Sequence, residues 1–113
     1  MGFGSLISLV LLIWLLVSTG DSARIGGWEE MRDLSNDQHV NEIAEFAVAE
    51  INKKADSQLK LLGVIKGQMQ VVSGINYKLV VAVQDRDGSG KYEAVVLEKP
   101  WLRLKSLTSY QPV

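Results

Sequence analysis

One stretch of the chain has the residue types and part of the spacing of a calcium-binding loop. Asp85-Arg86-Asp87-Gly88-Ser89-Gly90 puts acidic residues at positions one and three and a glycine at position six. Such a loop also requires a bidentate glutamate at position twelve and a helix on each side. Position twelve is Val96, and both flanking segments alternate as strands do. We therefore predict a hairpin turn here and no metal site.

No other arrangement of side chains in the sequence is suited to catalysis. His39 is the single histidine and cysteine is absent, so neither a nucleophilic triad nor a thiolate metal site is available. The acidic pairs Glu29-Glu30 and Glu42/Glu45 are explained by surface charge, and no phosphate-binding or dinucleotide motif occurs. The net charge of −1 gives no basic excess for nucleic acid. We predict a protein that is not an enzyme and uses no cofactor, with His39 solvated or packed.

Two apolar turns offer binding chemistry instead. The segment Gln70–Gly74 separates two runs of strand character, so we predict a hairpin tip in which Gly74 takes a positive φ. Its two adjacent valines are unusual for a solvated tip, although on the local pattern alone they more simply end a strand and pack downward. Pro100-Trp101 interrupts two further strand runs, and an exposed tryptophan at a Pro-led turn suits an interface.

One long amphipathic helix is predicted to support these turns. Ser35 and Gln38 have the spacing of a capping box at its start. The apolar stripe that follows at helical spacing consists of Val40, Ile43, Ala44, Ala47, Val48, Ile51 and Ala55. The alanines in this stripe allow the helix to lie close against a sheet.

The apolar period after the helix is that of β-strands. The first long strand is predicted to turn one face inward, made of Leu59, Leu61, Gly63, Ile65, Gly67 and Met69. Further strands are predicted over 75–83, 92–99 and 102–110, with a short first strand around Trp28 and Met31. The fold class is therefore α+β, with about five antiparallel strands and one helix on one sheet face.

The first twenty residues carry no charge and contain the apolar run Leu6–Val17. This run is short for a spanning helix, which needs ~20 apolar residues, and the small residues after it suit signal-peptidase cleavage. We expect a signal peptide over 1–22, cleaved near 20–23, followed by one domain over 23–113. No basic residue precedes the run, so an uncleaved anchor is the alternative.

Four features together resemble the cystatin family in its plant form. They are Gly26-Gly27, the helix segment Ile43–Asn52, the box Gln70-x-Val72-x-Gly74, and Pro100-Trp101. They occur in order over essentially the whole mature chain, and the lack of cysteine also fits the plant type. One departure is Ile51, where the plant motif usually has His, Tyr, Phe or Gln. It concerns the subfamily rather than the inhibitory segments.

The resemblance implies a curved antiparallel sheet wrapped around one helix, and a reversible, tight-binding competitive inhibitor of papain-like cysteine proteases. It implies that three segments form one apolar wedge that enters the protease cleft, made of Gly26, Gly27, Gln70, Val71, Val72, Ser73, Gly74, Pro100 and Trp101. The valines of the first tip then become contact residues. The resemblance also implies a monomeric plant-defence protein, and the expected signal peptide implies that it is secreted, to an extracellular or vacuolar location. A non-inhibitory secreted binding or storage protein on the same fold is the alternative, and a membrane-anchored form is a third.

Overall fold

The computed structural model describes residues 27–113, in which one helix and five strands follow each other along the chain. The elements are β1 (Glu29–Glu30), α1 (Gln38–Ala55), β2 (Lys60–Val72), β3 (Gly74–Asp85), β4 (Gly88–Lys99) and β5 (Leu104–Pro112). The strands form one sheet in the order β1-β2-β3-β4-β5, with every pair antiparallel. The predicted α+β class is thus confirmed. The predicted signal peptide and Gly26 lie outside the described residues.

The core lies between α1 and one face of the sheet. It is made of Val40, Ile43, Ala44, Ala47, Val48 and Ile51 of the helix against Leu59, Tyr77, Leu79, Val81, Val83, Ala94 and Val96. The predicted helical stripe is confirmed except at Ala55, which is exposed because the helix ends there, beyond the sheet face. Between residues 27 and 113, no helix has the length and apolar character needed to cross a membrane.

The predicted start of the helix is two residues too early. Residues Leu34–Asn36 form a separate 3₁₀ turn that contains Ser35, and the N-cap is Asp37. The Asp37 carboxylate accepts a hydrogen bond from the backbone N–H of Val40 at 3.1 Å. This bond satisfies one of the free N–H groups of the first helical turn, so the capping box of Ser35 and Gln38 does not form.

Two bulges in β2 change which of its residues face the core. Pairing jumps from Leu61 to Gly63 and again from Val64 to Lys66, so Leu62 and Ile65 are extra residues without a cross-strand partner. Ile65 is therefore 53% exposed, contrary to the prediction that it lies on the inner face. A period-two reading of the sequence cannot detect the extra residues, because each bulge inverts the alternation after it.

The bulges also separate the two glycines that were predicted to share the inner face. Gly63 pairs with Ala82, on the outer face, so its predicted position is wrong. Gly67 pairs with the buried Leu79 and is itself buried, as predicted. A side chain at Gly67 would come within 3.2 Å of Leu79 and 3.1 Å of Leu34, so a glycine is needed for the close packing of this face.

The turn between β3 and β4 is the predicted hairpin. Asp85 pairs with Gly88 across a two-residue connection, and the Asp85 carboxylate accepts a hydrogen bond from the N–H of Asp87 at 2.8 Å. No group of side chains suited to a metal ion occurs between residues 27 and 113.

The last strand begins at Leu104 rather than at the predicted Leu102, because Pro100–Leu102 form a 3₁₀ turn that ends at Arg103.

Candidate functional site

The strand register brings the two apolar turns to the same end of the sheet. Val72 pairs with Gly74 across Ser73, which makes the first tip a very tight turn. On the next pair of strands Ile75 lies opposite Glu98, and Lys99 lies opposite Leu104. The turn Pro100–Leu102 is therefore the continuation of β4 immediately beside the first tip.

The start of the described chain reaches the same end of the sheet. Glu29 pairs with Met69, which lies two residues before Val71 on β2. Two side-chain contacts hold the segment: the Trp28 ring lies 4.3 Å from Lys78 Nζ, and Gln68 donates a hydrogen bond to Glu30 at 2.8 Å. The role of Gly27 in the predicted wedge stays a prediction.

Exposed apolar side chains are concentrated at this end. Val71 is 52% exposed, Val72 43% and Trp101 65%, so the valines do not pack downward. Leu102 is 60% exposed and was not expected here, because its residue type had placed it in a strand. We call the four side chains Val71, Val72, Trp101 and Leu102 the apolar edge. A surface of this kind, at the end of a rigid sheet, suits insertion into a partner's groove.

Gly74 is the residue on which the geometry of the first tip depends. Its φ is +124°, a conformation that residues with a side chain rarely adopt. A Cβ atom there would also lie 2.7 Å from the backbone oxygen of Glu98. Since that oxygen belongs to the neighbouring strand, relief would require the tip and β4 to separate.

A cross-strand side-chain hydrogen bond braces the base of the tip. Asn76 donates a hydrogen bond to the side-chain oxygen of Gln70 at 3.1 Å. This bond links the strands on either side of Val71, Val72 and Ser73. The tip residues that project towards solvent therefore stand on a braced hairpin.

A buried carboxylate lies directly behind the tip. Glu98 is 6% exposed, and its Oε1 is 2.7 Å from His39 Nε2 in the first turn of α1. The same carboxylate interacts with the hydroxyl of Tyr77. Burial raises the pKa of Tyr77 above its ordinary value, and the negative charges of Glu98 and Asp37 raise it further. His39 is therefore bonded to a buried group, which its lone position in the sequence did not reveal.

The chain is similar to known proteinase inhibitors over most of its length. A family model described as SQAPI, aspartic acid proteinase inhibitor, matches residues 31–113. Cysteine proteinase inhibitor 5 of Arabidopsis thaliana is 46% identical over 108 residues, which cover 95% of this chain and 87% of that protein.

Two solved structures have the same fold. The salivary cystatin of the soft tick Ornithodoros moubata is 25% identical with a TM-score of 0.67, and the match covers 78% of this chain and 97% of that one. The squash aspartic acid proteinase inhibitor is 31% identical with a TM-score of 0.57, covering 69% and 84% respectively. The chain therefore belongs to the plant cystatin family of proteinase inhibitors and is not an enzyme.

Proposed function

We propose that this protein is a reversible, tight-binding competitive inhibitor of papain-like cysteine proteases. In the proposed complex Gly26-Gly27, the tip Gln70–Gly74 and the turn at Pro100-Trp101 occupy the active-site cleft and exclude substrate. The observation that carries the proposal is the exposure of Val71, Val72 and Trp101 at one end of a braced sheet. The cysteine proteinase inhibitors among its relatives support the same target class.

The proposed mechanism needs no reactive group on the inhibitor. Apolar side chains gain free energy when a cleft removes them from water, about 25 cal/mol per Å² of buried area. Because the hairpins are already ordered, little conformational entropy is lost when they bind. The inhibitor survives if none of its peptide bonds lies in attack geometry over the protease thiolate.

A titration of the purified protein against papain tests the proposal. We expect competitive inhibition at a one-to-one ratio, full recovery of intact inhibitor on a gel, and no effect on chymotrypsin. Inhibition that fades as the chain is cut between Val71 and Gly74 would identify a substrate instead. Size-exclusion chromatography at the same concentration tests the accompanying proposal that the inhibitor is a monomer.

Two positions of β2 provide a matched pair of variants. Val71 is 52% exposed and lies on the apolar edge, whereas Ile65 is 53% exposed at a bulge in the middle of the strand. Val71→Asp should weaken papain inhibition by at least about thirtyfold, because the cleft would desolvate an unpaired charge. Ile65→Asp should leave inhibition within about twofold of the parent. Equal effects of the two variants would refute the placement of the tip in the cleft.

Inhibition of an aspartic proteinase is the second candidate. It is favoured by the family model that matches residues 31–113 and by the 31% identical squash inhibitor. A parallel titration against pepsin separates the two candidates, because inhibition of pepsin without papain would reverse our assignment. A chain that inhibits neither enzyme would be the non-inhibitory binding or storage protein.

We further propose that the protein enters the secretory pathway, on the basis of the apolar run Leu6–Val17 and the small residues after it. N-terminal sequencing of the protein made in a plant cell tests this. A first residue between 21 and 24 is expected, whereas a retained Met1 would indicate an anchor or a non-secreted form.

A further inference from the structure

Glu98 occupies a position where the alternation of β4 calls for an apolar residue. Val96 and Ala94, two and four residues earlier on the same face, are both fully buried in the core. Glu98 continues that face and is 6% exposed. It is the one buried charged residue between residues 27 and 113. A charge in such a place must be compensated by its neighbours, so its presence needs a reason other than burial of surface.

The compensation comes from two different elements. His39 Nε2, on α1, is 2.7 Å from the Glu98 carboxylate, and the same carboxylate interacts with the Tyr77 hydroxyl, on β3. The rings of His39 and Tyr77 also meet edge to face, with centroids 6.0 Å apart. Glu98 therefore ties the end of β4 to the helix and to the adjacent strand.

The backbone of Glu98 lies at the junction of both turns of the apolar edge. Its carbonyl oxygen is the atom that leaves no room for a side chain at Gly74. Only Lys99 separates it from the turn Pro100–Leu102. A shift of this residue would thus change the distance between the first tip and the turn Pro100–Leu102.

We propose that Glu98 is a positioning residue for protease binding, which holds the two turns of the apolar edge at the spacing that a cleft requires. This inference rests on the proposed function. Replacing a buried charge and its partners by apolar groups often leaves stability unchanged, so stability alone does not account for the network. Preorganisation for binding does, because each turn held in its bound position avoids an ordering cost on association.

The test removes the carboxylate without leaving a buried polar group unpaired. In the double variant Glu98→Leu with Tyr77→Phe, both buried polar partners are lost and the half-exposed His39 can bond to water. We expect the melting temperature to stay within a few degrees of the parent, while the papain inhibition constant rises roughly tenfold. The rise should appear mainly in the dissociation rate.

Two further variants separate positioning from a merely structural role. Glu98→Gln keeps an oxygen acceptor at the same place, so it should retain inhibition within about threefold of the parent. Glu93→Leu removes a carboxylate from the outer face of the same strand, where it bonds Gln111, and should leave inhibition unchanged.

The outcomes are distinguishable. A double variant that inhibits like the parent, or one whose inhibition falls only as it unfolds, overturns the positioning role while the proposed function stands. A Glu98→Gln variant as weak as the double variant overturns it as well. A parent protein that inhibits neither papain nor pepsin removes the proposed function and this inference together.

Discussion

Gly74→Ala is the substitution whose consequences the geometry defines most closely. Two separate penalties apply: the backbone is held at φ +124°, and the new methyl group would lie 2.7 Å from the Glu98 carbonyl oxygen. Strained backbone of this kind costs about 1–3 kcal/mol, and forcing an atom into filled space costs about 1–3 kcal/mol more. The variant should therefore lose about 2–6 kcal/mol of folding free energy.

Gly88→Ala provides the control, because it carries the first penalty without the second. Gly88 has φ +131°, and a Cβ there meets nothing within 4 Å. It should lose about 1–3 kcal/mol from backbone strain alone. The difference between the two variants isolates the collision at the tip. For a domain of this size, the collision should lower the melting temperature of Gly74→Ala by at least about 4 °C relative to that of Gly88→Ala.

Inhibition should separate the same two variants more clearly than stability. The Gly88 turn lies at the opposite end of β4 from the apolar edge, so Gly88→Ala should inhibit papain like the parent. Gly74→Ala should be weaker by more than about tenfold, because relief of the collision moves Val71 and Val72 away from the tryptophan turn. Thermal melts and inhibition constants on the same preparations decide the matter. Equal melts of the two variants would refute the reasoning from the carbonyl contact.

Three further predictions concern other parts of the molecule. Trp101→Ala should weaken inhibition by about 2–4 kcal/mol, with the melting temperature kept to within a few degrees, since the side chain is 65% exposed; an unchanged inhibition constant would make the turn merely structural. Ala47→Asp should lower the free energy of unfolding by about 3 kcal/mol or more, whereas Glu45→Ala on the exposed face should change it by under about 0.5 kcal/mol in denaturant titrations. Because folding raises the pKa of Tyr77, its neutral hydroxyl stabilises the fold fully below the unfolded pKa of about 10, and this stabilisation is lost as pH rises above that value. Tyr77→Phe should therefore make the free energy of unfolding fall less steeply at alkaline pH. Equal slopes of unfolding free energy against pH for the variant and the parent would contradict the burial of the hydroxyl.

Local periodicity was sufficient for the helix and for the turns. The stripe from Val40 to Ile51 is buried because an amphipathic helix has one way to cover a sheet. The tip follows from the backbone freedom of Gly74, and the turn at Pro100 follows from the fixed φ of proline. Asp37 was missed as the N-cap because Ser35 satisfies the same pattern two residues earlier, and only the 3₁₀ turn distinguishes them.

The interactions that depend on distant parts of the chain were not predictable in this way. His39 and Glu98 are 59 residues apart, so their bond has no local signature. The collision that reserves position 74 for glycine likewise comes from β4. Glu98 follows Ala94 and Val96 at a spacing of two, so the sequence places it on the same face of β4. The alternation alone does not show whether the helix still covers the last residue of that face.

The two bulges of β2 also affect how copies of this protein meet one another. Within residues 27–113, β1 pairs only with Gln68 and Met69, so the outer edge of β2 from Lys60 to Lys66 has no strand beside it. A straight open edge of this length would accept a strand from another molecule and begin a fibre. Leu62 and Ile65 interrupt the run of hydrogen-bonding groups twice within five residues, so an incoming strand cannot stay in register along it. The irregularity that bends the sheet around its helix thereby also makes this edge of β2 a poor template for a strand from another copy.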